Sequence, residues 1–336
     1  MRVVVLDGPK KLSVVEKPTP QADGKKVIIK ISKVGICGSD LHMWEKGERV
    51  GLVMEHEFSG TVVDAGLLKD SLKVGDRVTA LPLDPCLKCV SCLKGDINMC
   101  LNPVASPGIR ADGAYAEFFA CRPDMIRKLP DSISDDEATM LEPAAVTLRA
   151  VRNAGIKPGD KVLINGGGII GLLSAAWARF AGASYIALTE ANKTRGENAA
   201  KMADIDAYFD ATDPEMLNKL LQGSGGGFDQ AIDCTAVPSA INNAIMAMNR
   251  GGRIILAGVS YKPIPINTLV VVLREIEFKG TIAYSHEFDK AMDIIGSKRL
   301  NTERFISGTI ELDGAQAAFE KLTAGTYPDV KILIRP

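Results

Sequence analysis

Over its first part the chain alternates apolar and polar residues in short runs. "KVIIKIS" (26–32) and "DRVTAL" (76–81) show the period of two expected of half-buried strands, with many Gly and Pro turns around them. Residues 1–145 therefore read as a β-rich, partly barrel-like lobe. The pattern then changes. After the linker-like "AGIKPGD" (154–160), Val162–Ile164 is a short apolar run of strand type. "IIGLLSAAWARFAG" has helical character ending at Gly182, and "YIALTE" is a second apolar strand ending in Glu190. The alternation continues with a strand "AYFD" (207–210), a helix "PEMLNKLLQ" (214–222) and a strand "FDQAIDCT" (228–235). A helix from about Ser239 to Met248 and the strands "GRIILAG" (252–258) and "IEFKGTI" (276–282) complete it. Between them, "GSGGG" (223–227) reads as a flexible surface turn. Strands separated by helices in this way predict an α/β fold, a doubly wound parallel sheet with its ligand at the strands' carboxyl ends. No internal repeat is apparent.

Composition narrows the functional classes. The 336 residues are 46% hydrophobic and 24% charged, enough to bury a substantial core, and 40 basic against 41 acidic residues leave a formal charge of −1. There is no basic block to lie along a phosphate backbone or an anionic bilayer, so neither nucleic acid nor membrane is an expected partner. The amino-terminal apolar run stops at Asp7, too short for the core of a secretion signal, and "GGGIIGLLSAAWA" is cut by Arg179 before membrane-spanning length. A cytoplasmic location is expected. Thiols stay reduced there, so clustered cysteines point to metal or chemistry and not to disulfides.

Four of the seven cysteines, Cys86, Cys89, Cys92 and Cys100, fall within "DPCLKCVSCLKGDINMCLN" (84–102). Thiolates spaced two residues apart reach one tetrahedral ion, and with four protein ligands a zinc here would be structural, bracing a lobe with little core of its own. A second set is incomplete. "VGICGSDLHMW" (34–44) carries Cys37, Ser39, Asp40 and His42, and "VMEHEFSG" (53–60) carries His56 and Glu57. One soft and two harder ligands suit a zinc that keeps a position open for water or substrate. In the second half, Gly166, Gly168 and Gly171 form G-x-G-x-x-G between strand and helix, and Glu190 follows Gly168 by twenty-two residues. This is the dinucleotide fingerprint: a tight turn, backbone N–H groups of a helix start (including Ile169 and Ile170) at the pyrophosphate, and an acid for the ribose hydroxyls. The Glu190 carboxylate repels a 2′-phosphate and favours NAD over NADP, while Lys193 and Arg195 keep NADP open, Arg195 being a further cofactor-binding candidate. Thr235, Val259 and Ala283, at the ends of later strands, belong near the same cofactor.

The order "GICGSDLH", "HEFSG", "KVGDRV", the four-cysteine lobe, "DGAYAEFF", "LEPAAV", "GGGIIG" and "KILIRP" resembles the zinc-containing medium-chain alcohol dehydrogenases over essentially the whole chain. Glu57, Glu142 and "GTIAYSHEF" (280–288) look more like the polyol, butanediol and threonine dehydrogenase branch than the ethanol-oxidising one. The resemblance implies a GroES-like catalytic domain (1–145), an NAD-binding Rossmann domain (146–283) and a return to the first domain (284–336). It implies two zinc ions per subunit and a homodimer or homotetramer. By motif, Cys37, His56 and Glu57 would bind the catalytic zinc, with Glu142 as exchangeable ligand or anchor of its water. Ser39 would touch the substrate oxygen, His42 would pass its proton toward solvent, and Asp40 would orient a ligand from behind. The implied activity is hydride transfer between NAD(H) and the secondary alcohol or ketone of a small diol, polyol or hydroxy-amino acid.

Three departures stand out. Only eighteen residues separate Cys37 from His56, fewer than is usual in the family. Glu55 stands where a Gly normally precedes the ligand pair, and is expected to tune the site without binding zinc. Arg149 replaces a His common after the "EP" motif, with no reason visible in the sequence. The first two make a catalytically silent, nucleotide-binding member conceivable. A zinc-free quinone or enoyl reductase is disfavoured by the intact Cys37, His56 and Glu57 set.

Overall fold

The computed structural model describes residues 1–21, 26–66, 72–202, 204–324 and 329–336. The chain divides into two units, one of Met1–Glu142 with most of the segment from Phe288 onward, the other essentially Pro143–Glu287. The divisions expected from sequence, after residues 145 and 283, lie three and four residues from these.

The first unit is built on a mixed seven-stranded sheet. Val27–Gly35 is its hub, pairing antiparallel with Phe58–Asp64, Phe118–Cys121 and Lys331–Arg335. The sheet continues through Arg77–Ala80 to Ile126–Lys128 on one side and to Ile306–Glu311 on the other. Val27, Ile28 and Ile29 are all buried. A hub strand covered on both faces has no polar side to show, which is why the expected alternation is lost at its start. The strand Lys331–Arg335 joins the first unit's sheet, pairing with Val27–Gly35.

The second unit holds a six-stranded parallel sheet ordered Ala207–Asp210, Tyr185–Glu190, Lys161–Asn165, Phe228–Asp233, Met248–Leu256 and Glu277–Gly280. The chain starts in the middle, winds to one edge, returns and winds to the other. That order leaves a topological switch point beside Lys161–Asn165, where open α/β sheets bind ligands. The helix Ile169–Phe180 buries eight of its twelve residues. Trp177 donates its indole N–H to Ala144 O at 2.9 Å, tying this helix to Leu141–Ala154. "GSGGG" is not a simple surface turn: Gly223 and the buried Ser224 complete the helix Met216–Ser224, and Gly225 ends it in the left-handed region. None of the described helices is long and apolar enough to cross a membrane.

Arg149 now has a role. Its guanidinium lies 3.4 Å from one carboxylate oxygen of Glu287, and that of Arg152 lies 2.6 Å from the other. Glu287 is buried and also accepts the Ser285 N–H at 2.9 Å. Burial raises the Glu287 pKa, but the Ser285 N–H and the two guanidinium groups outweigh it and hold the carboxyl below its ordinary value. A carboxylate depressed in the folded state stabilises above its unfolded pKa and loses that contribution as pH falls through the folded one. Glu287→Gln should therefore lower stability by about 1 kcal/mol near pH 7. The melting-temperature difference from wild type should shrink as the buffer is taken toward pH 4, and a pH-independent difference would count against this account.

Candidate active site and metal centres

The cysteine lobe converges on one point. Cys89 caps the short helix Val90–Leu93, Cys92 lies within it, and Cys100 follows the turn Ile97–Met99. The Sγ atoms of Cys86, Cys89, Cys92 and Cys100 all lie within 4.8 Å of one another, with Cys89 3.5 Å from Cys92 and 4.0 Å from Cys100. Four thiolates at about 2.3 Å from a tetrahedral ion stand about 3.8 Å apart, whereas a disulfide needs about 2.05 Å. Backbone N–H groups already point at the sulfurs, from Cys86 and Asn102 to Cys100 and from Leu101 to Cys89. N–H groups of Cys92 and Leu101 bring the Cys89 thiol down to about 6, as a metal-binding thiolate requires. Asp84 ties the loop's ends, accepting Val104 N–H on its carbonyl and Ala105 N–H on its carboxylate, which also pairs with Arg122. The residues fit a closed, four-thiolate zinc site.

The second centre forms where the helix Gly38–Lys46 meets residues 55–57 and the carboxy-terminal strand. Cys37, His56 and Glu57 each place one ligand atom within 4.8 Å of the others. Helical spacing splits the "GSDLH" residues between two faces. Asp40 and Trp44 are buried, whereas Ser39 and the exposed His42, three residues apart, share the other side. Ser39 donates its hydroxyl to Cys37 Sγ at 3.2 Å. On the inner side Asp40 accepts the Tyr115 hydroxyl at 2.9 Å, and Phe319, from the returning segment, packs edge-on against both Trp44 and Tyr115. Beneath Glu57 lies the fully buried Lys331, which donates to its carboxylate and, at 3.0 Å, to Ile36 O. A Cβ on Gly35 would fall 2.6 Å from Glu57 Oε2 and 2.7 Å from Lys331 Cε, so only glycine admits the pair.

The electrostatics call for a cation. Burial, reinforced by the carboxylates of Asp40 and Glu55, pushes the Cys37 thiol up to about 12. Burial lifts Asp40 to about 6 in spite of His56. Burial also disfavours the His56 cation, yet the negative charges of Glu55, Glu142 and Asp40 outweigh it and raise that imidazole. His56 Nδ1 is buried with no hydrogen-bond partner. A divalent ion relieves this crowding of acids and takes up the unused donor atoms, so the residues fit a zinc with three protein ligands. Glu142, buried in the first turn of its helix, acts on the cluster through its charge but lies outside the three-ligand group.

In the second unit the glycines sit at the switch point. Gly166 has φ of +103°, and a Cβ on Gly171 would fall 1.8 Å from Gly166 O, which is the close helix–strand approach the motif requires. A Cβ on Gly168, the helix N-cap, would meet nothing within 4 Å, leaving the amides of the Ile169–Phe180 helix approachable. Glu190 is buried at the end of its strand. It accepts the N–H groups of Gly167 and Asn192, both at 2.8 Å, and pairs with Arg195 at 3.1 Å. Thr235, whose methyl would stand 3.0 Å from a Cβ on Gly166, hydrogen-bonds Asp233 at 2.8 Å. The exposed Val259 and the left-handed Ala283 lie beyond the ends of the strands Met248–Leu256 and Glu277–Gly280.

Comparison with known proteins agrees with this geometry. Residues 23–131 match the alcohol dehydrogenase GroES-like domain and residues 170–297 the zinc-binding dehydrogenase domain. A probable D-xylulose reductase A of Aspergillus clavatus is 33% identical, the match covering 96% of this chain and 93% of that protein. The chain belongs to the zinc-containing medium-chain alcohol dehydrogenase family. Sorbitol dehydrogenase of Bacillus subtilis is 29% identical, with 100% of this chain and 97% of that one covered. The crystal structure of 2R,3R-butanediol dehydrogenase from Bacillus subtilis superposes with a TM-score of 0.89 at 27% identity, covering 100% and 99% of the two chains. As a member of this medium-chain family the protein is an oxidoreductase that uses zinc and a nicotinamide dinucleotide. The sequence reading missed Lys331 and Tyr115. The one signal for Lys331 was a lysine at the head of the wholly apolar "ILI". Lys331→Met should leave Glu57 buried without its cation and destabilise chelator-treated protein by about 3 kcal/mol, measured by urea unfolding; unchanged stability would refute the pairing.

Proposed function

We propose that the protein is an NAD(H)-dependent zinc dehydrogenase acting on a secondary hydroxyl of a small diol or polyol, or on the matching ketone. The observation that carries this is the convergence of Cys37, His56 and Glu57 on one point, three ligands that leave a coordination position for substrate. The relatives named for xylulose, sorbitol and butanediol support the substrate class. When bound, zinc supplies a Lewis acid for the hydroxyl and the nicotinamide a hydride acceptor. Ser39, beside Cys37 on the open side of its helix, would accept the substrate hydroxyl proton as its own hydroxyl proton passes on to the cofactor ribose. His42, exposed and on the same face, would take up the proton from that ribose on one ring nitrogen and release one to solvent from the other. Asp40, held by Tyr115, orients a ligand from behind, and Glu142 anchors a water or serves as exchangeable ligand. Cys86, Cys89, Cys92 and Cys100 hold the second, structural zinc.

Gly166, Gly168, Ile169, Ile170 and Gly171 cradle the pyrophosphate, with Thr235, Val259 and Ala283 along the cofactor's remaining length. Glu190 takes the ribose hydroxyls, which favours NAD over NADP. Seven free thiols, four of them in the metal lobe, support a cytoplasmic, reducing location. Glu277–Gly280 at the sheet edge, with Leu269, Val272 and Leu273 exposed on the preceding helix, supports pairing with a second copy in a homodimer or homotetramer.

Absorbance at 340 nm with a panel of diols and polyols tests the activity. Turnover should appear with NAD and a vicinal secondary alcohol, and a zinc-loaded protein that binds NAD but oxidises none of the panel would be a silent member. Cys37→Ser should abolish turnover and leave NAD binding intact, while Cys92→Ser should mainly cost stability. Glu190→Ala should weaken NAD by about tenfold, read by fluorescence titration, with a smaller effect on NADP.

A further inference from the structure

Glu55 combines two features that the three-ligand site does not by itself explain. Its φ is +84°, in the left-handed region that residues with a Cβ rarely enter. Its side chain is fully buried, with Oε2 accepting the N–H of Glu57 at 2.5 Å and Oε1 without a hydrogen-bond partner. The main chain here is wedged in place. Glu55 O accepts the Ala114 N–H at 3.0 Å, and a Cβ on Gly108 or Gly113 would stand 2.3 or 2.0 Å from that same oxygen.

The two residues that follow pose a geometric difficulty. Consecutive side chains of an extended strand point to opposite faces. His56 and Glu57 nevertheless bring ligand atoms within 4.8 Å of each other and of Cys37 Sγ. Bringing both to one point therefore depends on how the peptide between them is oriented and held. The left-handed Glu55 sets the direction in which the chain enters this segment. The bond from its own carboxylate to the amide two residues on then closes a small ring around His56, fixing the peptide between the two ligands. Glycine at this position would adopt this φ with less strain but would offer no acceptor to the Glu57 N–H.

We infer that Glu55 is a positioning residue whose carboxylate, by accepting the Glu57 N–H, holds the His56–Glu57 peptide so that both side chains can meet one metal ion together with Cys37. Glu55 itself stays outside the ligand set. The inference rests on the zinc dehydrogenase reading, because it concerns how that reading's metal is held.

The test compares wild-type, Glu55→Gly and Glu55→Gln proteins loaded with zinc. Transfer of zinc to a chromogenic chelator is followed in time, and the phase belonging to the Cys37 centre is assigned from Cys37→Ser protein, which retains only the lobe ion. The visible spectrum of cobalt(II) substituted at the Cys37 centre is recorded alongside. Glu55→Gly should lose the Cys37-centre ion about tenfold faster and shift the cobalt bands, with the lobe phase unchanged. Glu55→Gln, which keeps an acceptor oxygen without the charge, should restore both signals toward wild type. A Glu55→Gly protein with wild-type release and spectrum overturns the inference, as does a Glu55→Gln protein impaired as much as the glycine variant. Wild-type protein holding a single ion, in the cysteine lobe, would overturn the dehydrogenase reading as well; full occupancy of both centres with an unaffected glycine variant overturns this inference alone.

Discussion

A buried cluster of acids needs a cation, and the first unit is arranged around that need. Cys37, Asp40, Glu55, Glu57 and Glu142 bring five acidic side chains to the neighbourhood of His56, with Lys331 as their buried positive neighbour. In a low-dielectric interior such a group cannot all ionise unaided. The answers the structure offers are raised pKa values, pairing and a place for metal. The thiol and Asp40 are pushed toward their neutral forms, Glu57 is paired with Lys331, and three ligand atoms are left facing one another. The surrounding fold can be read as what keeps these groups close. Gly35 makes room for the Glu57–Lys331 pair, Phe319 fixes the inner face of the Gly38–Lys46 helix, and Tyr115 caps Asp40.

The candidate metal ligands were legible because their types are scarce and their spacing is informative. Four cysteines in fifteen positions have few packing explanations, and His56 and Glu57 stand out against an apolar background. The dinucleotide half was legible because its glycines answer a steric demand, visible in the clash a Cβ on Gly171 would make with Gly166 O. The parallel strand order followed from the alternation of elements.

What stayed hidden depends on contacts distant in sequence. Lys331 looks like a strand's polar first residue until the strand is paired beside Gly35, nearly three hundred positions earlier. Arg149 had no reading until Glu287 was found buried against it. Gly108 and Gly113, on another segment, leave the room that the Glu55 main chain occupies, and apart from the Gly usual at this position in the family nothing in "VMEHEF" announces a positive φ. Strand limits shifted for a related reason: Val27, Ile28 and Ile29 are buried in succession, so the start of Val27–Gly35 does not report the alternation that Ile29, Lys30 and Ile31 show.

The position of Lys331 also orders events in time. Synthesis runs from the amino terminus, and Cys37, His56 and Glu57 are made nearly three hundred positions before the lysine beneath Glu57. The cysteine lobe, whose four candidate ligands lie within fifteen residues, can take up an ion as soon as that short stretch has emerged. The Cys37 centre has to wait for the strand Lys331–Arg335 to be made and paired, and until then Glu57 lacks the cation on which it rests.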